Sequence, residues 1–289
     1  MLNSLLTDNG SPMRPFWLES LQVERLTIAI AGLPAHLQGI KLVQWSDLHC
    51  DEQHLPVAVL QEAIAITNQE KPDLIFLTGD FITDSPRPIF ALVDSIKALE
   101  SQGGIYACLG NHDSYLPHAR ETVRAALTSV GIRVLWNEIV TPYGENFPIV
   151  GLADYWSGEF LPQILEQIAP DIPRLVLSHN PDTAMVLRDW RVDLQLSGHT
   201  HGGQVTIPGI GSLPIILEKL RRSLPEPYGQ WVPLHRQFSR VVRYWQWSEG
   251  FHRVGENQLY VNRGLGTYFP GRLFCPPEVT VITLINSSQ

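Results

Sequence analysis

Cysteine is scarce in this 289-residue chain: Cys50, Cys108 and Cys275 stand far apart, with no C-x-x-C pair among them. An odd, dispersed set argues against a disulfide framework and fits a reducing compartment. Charged residues make up only 17%, and the formal net charge is −8. Without a basic excess the chain does not advertise general nucleic-acid binding, which leaves small substrates open. No apolar run approaches the roughly 18 residues that a membrane-spanning helix needs. The first residues also lack a signal-peptide core, because Asp8, Pro12, Arg14 and Glu19 interrupt it. The expectation is a cytoplasmic protein, with peripheral membrane contact left open.

Against these absences stand 44% hydrophobic residues, enough for a sizeable core. Residues 1–20 read as a loose leader, with Asn9-Gly10-Ser11-Pro12 as a turn, and 21–289 as one domain. Short apolar, β-branched runs at 40–45, 74–78, 104–109, 149–152, 174–177, 192–196, 259–261 and 279–285 are bounded by Gly, Pro, Asn or Asp and predict buried strands. Helical-period segments lie between several of them, at 55–69, 87–99 and 119–130. Lys71-Pro72 stops the first, and Gly131 caps the last. Alternating strands and helices predict an α/β fold with helix-covered sheets. The later strands lose their intervening helices, which predicts an antiparallel portion there. One stretch departs in composition: 215–247 carries six Lys/Arg against two Glu, together with Tyr228, Trp231, Tyr244, Trp245 and Trp247. It reads as a basic, aromatic-rich insertion, either a cap over the core or a lid suited to an anionic lipid surface. Pro225, Pro227 and Pro233 favour a loop-rich form.

The polar breaks after the strands carry the chemistry. They read Ser46-Asp47-Leu48-His49, Thr78-Gly79-Asp80, Gly110-Asn111-His112-Asp113, Ser178-His179-Asn180 and Gly198-His199-Thr200-His201. Ligands collect at the carboxyl ends of strands in open α/β sheets, so residues more than 150 positions apart can share one cleft. Asp47 and His49 are two apart, as are His199 and His201. In extended backbone such pairs face one side, so each pair is expected to serve one cluster. Mixed Asp, Asn and imidazole donors suit Mn²⁺, Fe²⁺ or Zn²⁺ rather than Ca²⁺ or a thiolate-bound ion. Seven candidate ligands exceed the needs of one ion and fit two that share a carboxylate, a clamp suited to in-line attack on phosphorus.

In that order, Asp-x-His, Gly-Asp, Gly-Asn-His-Asp, a lone His and Gly-His-x-His resemble the calcineurin-like metallophosphoesterase superfamily. The strings Ser46–His49, Leu196-Ser197-Gly198-His199-Thr200-His201-Gly202-Gly203-Gln204, Asn262-Arg263-Gly264-Leu265-Gly266 and Arg272-Leu273-Phe274-Cys275-Pro276-Pro277-Glu278 resemble its bacterial YkuE/YaeI branch. The resemblance covers roughly residues 30–285. It implies a four-layer αββα sandwich with a dimetal site at one end. One ion would be held by Asp47, His49 and His201 and the other by Asn111, His179 and His199, with Asp80 bridging them. A metal-bridging hydroxide would attack a phosphodiester or related ester, and His112 would act as general acid. Arg263 is a candidate for neutralising substrate phosphate.

Two departures from the family pattern matter. The second motif usually reads Gly-Asp-x-x-Asp, its last Asp orienting the catalytic His; here Thr83 stands in that position and Asp84 follows one residue late. Asp84 on a bulge, Asp113 or a backbone carbonyl are the three candidates to orient His112. The other departure is the length of 215–247, which bears on substrate access. An alternative substrate is a lipid-linked nucleotide pyrophosphate of the UDP-diacylglucosamine type, since relatives in this superfamily cleave such bonds. A binding scaffold on the same fold is the reading from another class, and intact ligand positions weigh against it.

Overall fold

The computed structural model describes residues 19–51, 53–225, 241–268 and 271–287. In chain order its first half comprises β1 (Gln22–Ile30), β2 (Lys41–Trp45), α1 (Val57–Glu70), β3 (Leu74–Thr78), α2 (Ile89–Ile96), β4 (Ile105–Cys108), α3 (Asn111–Ser114), α4 (Ala119–Ser129) and β5 (Arg133–Val134). The second half comprises β6 (Glu138–Val140), β7 (Ile149–Gly151), β8 (Leu175–Leu177), α5 (Thr183–Val186), β9 (Leu194–Ser197), the pair β10 (Thr206–Ile207) and β11 (Gly211–Ser212), α6 (Leu213–Ser223), β12 (Gly250–Val254), β13 (Asn257–Val261) and β14 (Glu278–Asn286).

Two six-stranded sheets result, ordered β1-β14-β2-β3-β4-β5 and β12-β13-β9-β8-β7-β6. The period-two alternation of each strand decides what lies between them. In β2, Leu42 turns towards the other sheet and meets Leu74, Phe76, Leu177, Leu194 and Leu196, all fully buried. Val43 and Trp45 turn the other way, onto Val59, Leu60 and Ala63 of α1. On the far face of the second sheet, Val150, Val176 and Val192 pack on Ile164, Leu165 and Leu187. The order is therefore helix, sheet, sheet, helix, but the last layer is thin: α5 and the 3-10 turns Pro162–Gln167 and Leu187–Asp189.

The expected antiparallel portion is mostly absent. In the second sheet β7, β8, β9 and β13 run parallel, and only the flanking β6 and β12 are antiparallel to their neighbours; in the first sheet β14 is antiparallel to β2. Short turns suffice as crossovers, so the lack of long helices in the sequence misled. The parallel arrangement has a direct consequence for function. β2, β3 and β4 of one sheet and β8, β9 and β13 of the other all deliver their next residues to one end of the sandwich. Gln44, buried between the sheets, joins them just below that end: its Nε2 donates to Thr78 Oγ1 (3.0 Å) and to the Ser197 carbonyl (2.9 Å).

α1 stops before Lys71-Pro72 as expected, with Lys71 in the left-handed region at φ 52°, and Gly131 adopts φ 83° after α4, as a glycine cap predicts. The proposed leader lies almost entirely outside the described residues, as do 226–240 of the basic segment, including Tyr228 and Trp231. Among the described residues no helix is long and apolar enough to cross a membrane.

Candidate metal centre and active site

Beyond the strand ends the motif loops keep hydrogen-bonding to one another. Asp47 N–H donates to the Gly79 carbonyl, His49 N–H to that of Asp80, and Gly198 N–H to that of His179. Their backbone is not extended, contrary to the sequence expectation. Asp47, His49, Asp80, His199 and His201 have φ of 49°, 45°, 54°, 71° and 51°, and make up half of the non-glycine left-handed residues described. Side-chained residues hold that conformation only where surroundings enforce it, and functional sites are where such strain gathers. The kinks also redirect the paired residues. Asp47 and His49 reach one cluster with His201, while His199 joins Asp80 and His179 in another. Within each cluster the ligand atoms all lie within 4.8 Å of one another, and every member is buried.

Gly198 is required by proximity. A Cβ there would collide with Ser46 Oγ and Asp47 Oδ2, while the backbone of the next residue, His199, donates to both Asp47 oxygens (3.0 and 2.9 Å). Gly198→Ala is therefore expected to push the Asp47 carboxylate aside. Elemental analysis should find less metal per folded chain than in wild type, and an unchanged content would show that the loop yields freely.

The imidazoles are oriented by what grips their outer nitrogen. His49 Nδ1 donates to the Ile82 carbonyl (3.1 Å), His179 Nδ1 to that of Thr78 (2.6 Å) and His199 Nε2 to that of Val241 (2.9 Å). A carbonyl only accepts, so each ring turns its other nitrogen inward, as metal-ligating histidines do. Those inner atoms sit close together: His49 Nε2 lies 3.2 Å from His201 Nε2, and His179 Nε2 lies 3.2 Å from His199 Nδ1. Burial keeps His49 and His199 neutral, pushing them down to about 3 and about 4, and lowers His201 as well. Burial alone would lower His179 too, but Asp80 and Asp47 outweigh it and raise it to about 10. For Asp80 burial is likewise outweighed, by His179 first, and its carboxyl stays well below the usual range. Burial raises Asp47 to about 6. Buried Asn111 Oδ1 and His201 Nδ1 have no hydrogen-bond partner. Inward lone pairs, a carboxylate in each cluster and an orphaned amide oxygen are a donor set that fits two divalent cations.

Asp80 stands between the clusters. Its Oδ2 is 3.0 Å from His179 Nε2 and 3.8 Å from His49 Nε2, and its Oδ1 accepts from the His112 backbone N–H (2.9 Å). With Asn111 and His112 it floors a cleft of about 350 Å³ whose walls include Trp156, Trp245 and Tyr268.

Neither carboxylate proposed to orient His112 does so. Asp84 is exposed. Asp113 is fully buried and accepts from the N–H groups of Phe81, Ile82 and Gly110, a brace of the backbone turns rather than of the His112 ring. His112 Nδ1 instead meets the Thr83 carbonyl (3.0 Å) and the Tyr115 hydroxyl (2.7 Å). The late position of Asp84 thus removes the family's side-chain partner, and the backbone takes its place.

Arg263 is also placed differently from the phosphate-binding expectation. It lies outside the cleft lining, 2.7 Å from Glu24, 2.8 Å from Glu278 and 3.5 Å from Glu249. Glu278 is buried, so Arg263→Met would strand a carboxylate and is expected to cost about 3–5 kcal/mol. KM for a phosphodiester should stay near the wild-type value in the folded fraction; a large rise would restore Arg263 as a substrate contact.

Sequence reasoning missed several participants. The Tyr268 hydroxyl lies 2.8 Å from His49 Nδ1, and its ring packs on His49, His54 and His201. Its position two residues after Asn262–Gly266 was the available signal. Trp156 sits edge-on to His199 at 4.9 Å between centroids, with no local motif to announce it. Asp154, three residues beyond β7, is buried with Oδ1 unpartnered, and burial raises it to about 6. The end of the basic segment also reaches the site, through the Val241 carbonyl and Trp245.

Comparison with known proteins agrees with this geometry. The Calcineurin-like phosphoesterase family matches residues 40–203. Phosphodiesterase YaeI of Escherichia coli (strain K12) is 34% identical over 276 residues, which span 94% of this chain and 90% of that protein. The metallophosphoesterase YkuE of Bacillus subtilis (strain 168) is 32% identical, over 98% and 93% of the respective chains. UDP-2,3-diacylglucosamine pyrophosphatase LpxG of Chlamydia muridarum is 29% identical, over 91% and 88%.

Proposed function

This chain belongs to the calcineurin-like phosphoesterase family, a metal-dependent hydrolase family, and from that premise we propose how its own residues divide the work. Asp47, His49 and His201 would hold one divalent ion and Asn111, His179 and His199 the other, with Asp80 placed to serve both. The single observation that carries this reading is the position of Asp80 Oδ2 between His179 and His49. The borderline donor set favours Mn²⁺, Fe²⁺ or Zn²⁺. When bound, such ions lower the pKa of a water towards neutrality and offset charge on phosphate oxygens.

The protein's part is positioning and proton transfer. The ester lies on the floor made by Asp80, Asn111 and His112. His112 keeps one proton on Nδ1, towards the Thr83 carbonyl and the Tyr115 oxygen, and so turns Nε2 to the cleft. From Nε2 the imidazolium gives a proton to the departing alkoxide. Tyr268 holds the ring of His49 in place. Three free thiols fit a reducing, cytoplasmic setting.

A second reading concerns the substrate. Aromatic walls at Trp156 and Trp245, and the likeness to LpxG, favour a lipid-linked nucleotide pyrophosphate. Assaying a bis-aryl phosphodiester beside such a lipid, after reconstitution with each of the three metals, separates the two. Higher kcat/KM on the lipid selects the second reading. Turnover of neither, with two metals bound per chain, would overturn both.

A further inference from the structure

The β10–β11 hairpin carries two bulky apolar side chains that stand largely exposed: Ile207 is 41% and Ile210 61% exposed, on either side of Pro208-Gly209. A bridge between Val205 and Leu273, and the hydrogen bond from Thr206 N–H to the Leu273 carbonyl, set Phe274 beside this hairpin, 59% exposed. α6 follows directly and continues the apolar surface along Leu213, Leu217, Leu220 and Leu224, a one-sided helical spacing whose last two members are exposed. Charge is distributed to match. Residues 205–225 hold Lys219, Arg221 and Arg222 against Glu218 alone, in a chain whose net charge is −8. Glu218 is already held by Arg221 and Arg222.

The place of this surface in the fold is also informative. Gly203 and Gln204 line the cleft, and the chain runs from them straight into β10. The Gln204 side chain and backbone accept from Tyr268 N–H and Leu273 N–H, so the hairpin root and the cleft wall are one piece of structure.

We propose that the β10–β11 hairpin, α6 and Phe274 form a docking surface for an anionic lipid bilayer, with the mouth of the catalytic cleft opening beside the membrane. Aliphatic and aromatic side chains at a turn tip, flanked by Lys and Arg, are what interfacial insertion uses. The Lys and Arg residues beside these exposed apolar side chains suit an anionic bilayer rather than a protein partner. The inference deepens the lipid-substrate reading and rests on it only for the identity of the cleft. The test is read without turnover, so failure of one leaves the other standing.

The experiment is co-sedimentation of the full chain with phosphatidylcholine vesicles, with and without phosphatidylglycerol. Wild type should bind the mixed vesicles and release them as salt rises. The double variant I207S/I210S should lose binding by at least about tenfold, with an unchanged circular-dichroism melt. The double variant K219A/R222A should bind both vesicle types alike. Wild type that ignores both vesicles, or I207S/I210S that binds as wild type does, overturns the proposal. So does a dimer in light scattering that the same variant dissolves, which would assign the surface to a second copy.

Discussion

His112→Ala is expected to keep its full metal content and lose about 10²–10⁴-fold in turnover, the usual weight of general acid catalysis. The ring stands over the floor of the cleft but outside both ligand clusters, held by Thr83 and Tyr115. In the proposed role, removing it deletes the proton donor and leaves both ligand clusters untouched. The size of the loss should depend on the leaving group. An aryloxide departs readily without a proton, whereas an alkoxide does not, so the deficit should be small for aryl esters and approach its maximum for alkyl esters. Measuring kcat on one ester of each kind, with elemental analysis of the same sample, checks this. Metal loss would make His112 a ligand, and an equal deficit on both esters would remove its role as acid.

Asp80→Ala should be more severe and should fail earlier in the sequence of events. Asp80 Oδ2 lies 3.0 Å from His179 Nε2 and 3.8 Å from His49 Nε2, within reach of both clusters, and its negative charge is the first that raises His179 above burial's downward pull. Without it two buried imidazole groups face each other with one carboxylate fewer to balance a cation. Metal content should fall well below two per chain, and turnover should fall at least as far as in His112→Ala. Added Mn²⁺ should raise the melting temperature of wild type, since a ligand that binds only the folded state stabilises it by mass action, and should raise that of the variant much less. A variant with wild-type metal content would refute the bridging position.

The ligand loops were legible because each one interrupts a run of apolar residues with Asp, Asn or His, and strands end where such residues begin. All eight apolar runs appear as strands, from Lys41–Trp45 to Glu278–Asn286. β1 was passed over because Gln22, Glu24 and Arg25 break its pattern; it is an edge strand, half exposed, paired on one side with β14. Thr67 of α1, a polar residue in a helical segment, is fully buried, its hydroxyl accepting from Trp45 Nε1 at 3.0 Å. Arg263 was read as a phosphate contact because a guanidinium suits phosphate and carboxylate equally. Only the fold could bring Glu24, 239 residues away, to meet it. The partner of His112 was hidden for a different reason: a backbone carbonyl belongs to every residue and leaves no mark in the sequence.

Asp113 has a consequence for how the molecule can breathe. Its one carboxylate ties the turn that carries Asp80 to the turn that carries Asn111 and His112, so Asp80 and His112 are braced against each other. His179, His199 and His201 ride on the opposite sheet. Any slackening between the two halves would therefore stretch both ligand clusters while the reach of His112 over its own half stays constant. On the proposed roles, heat or a loosened core would release the ions before it displaced the acid.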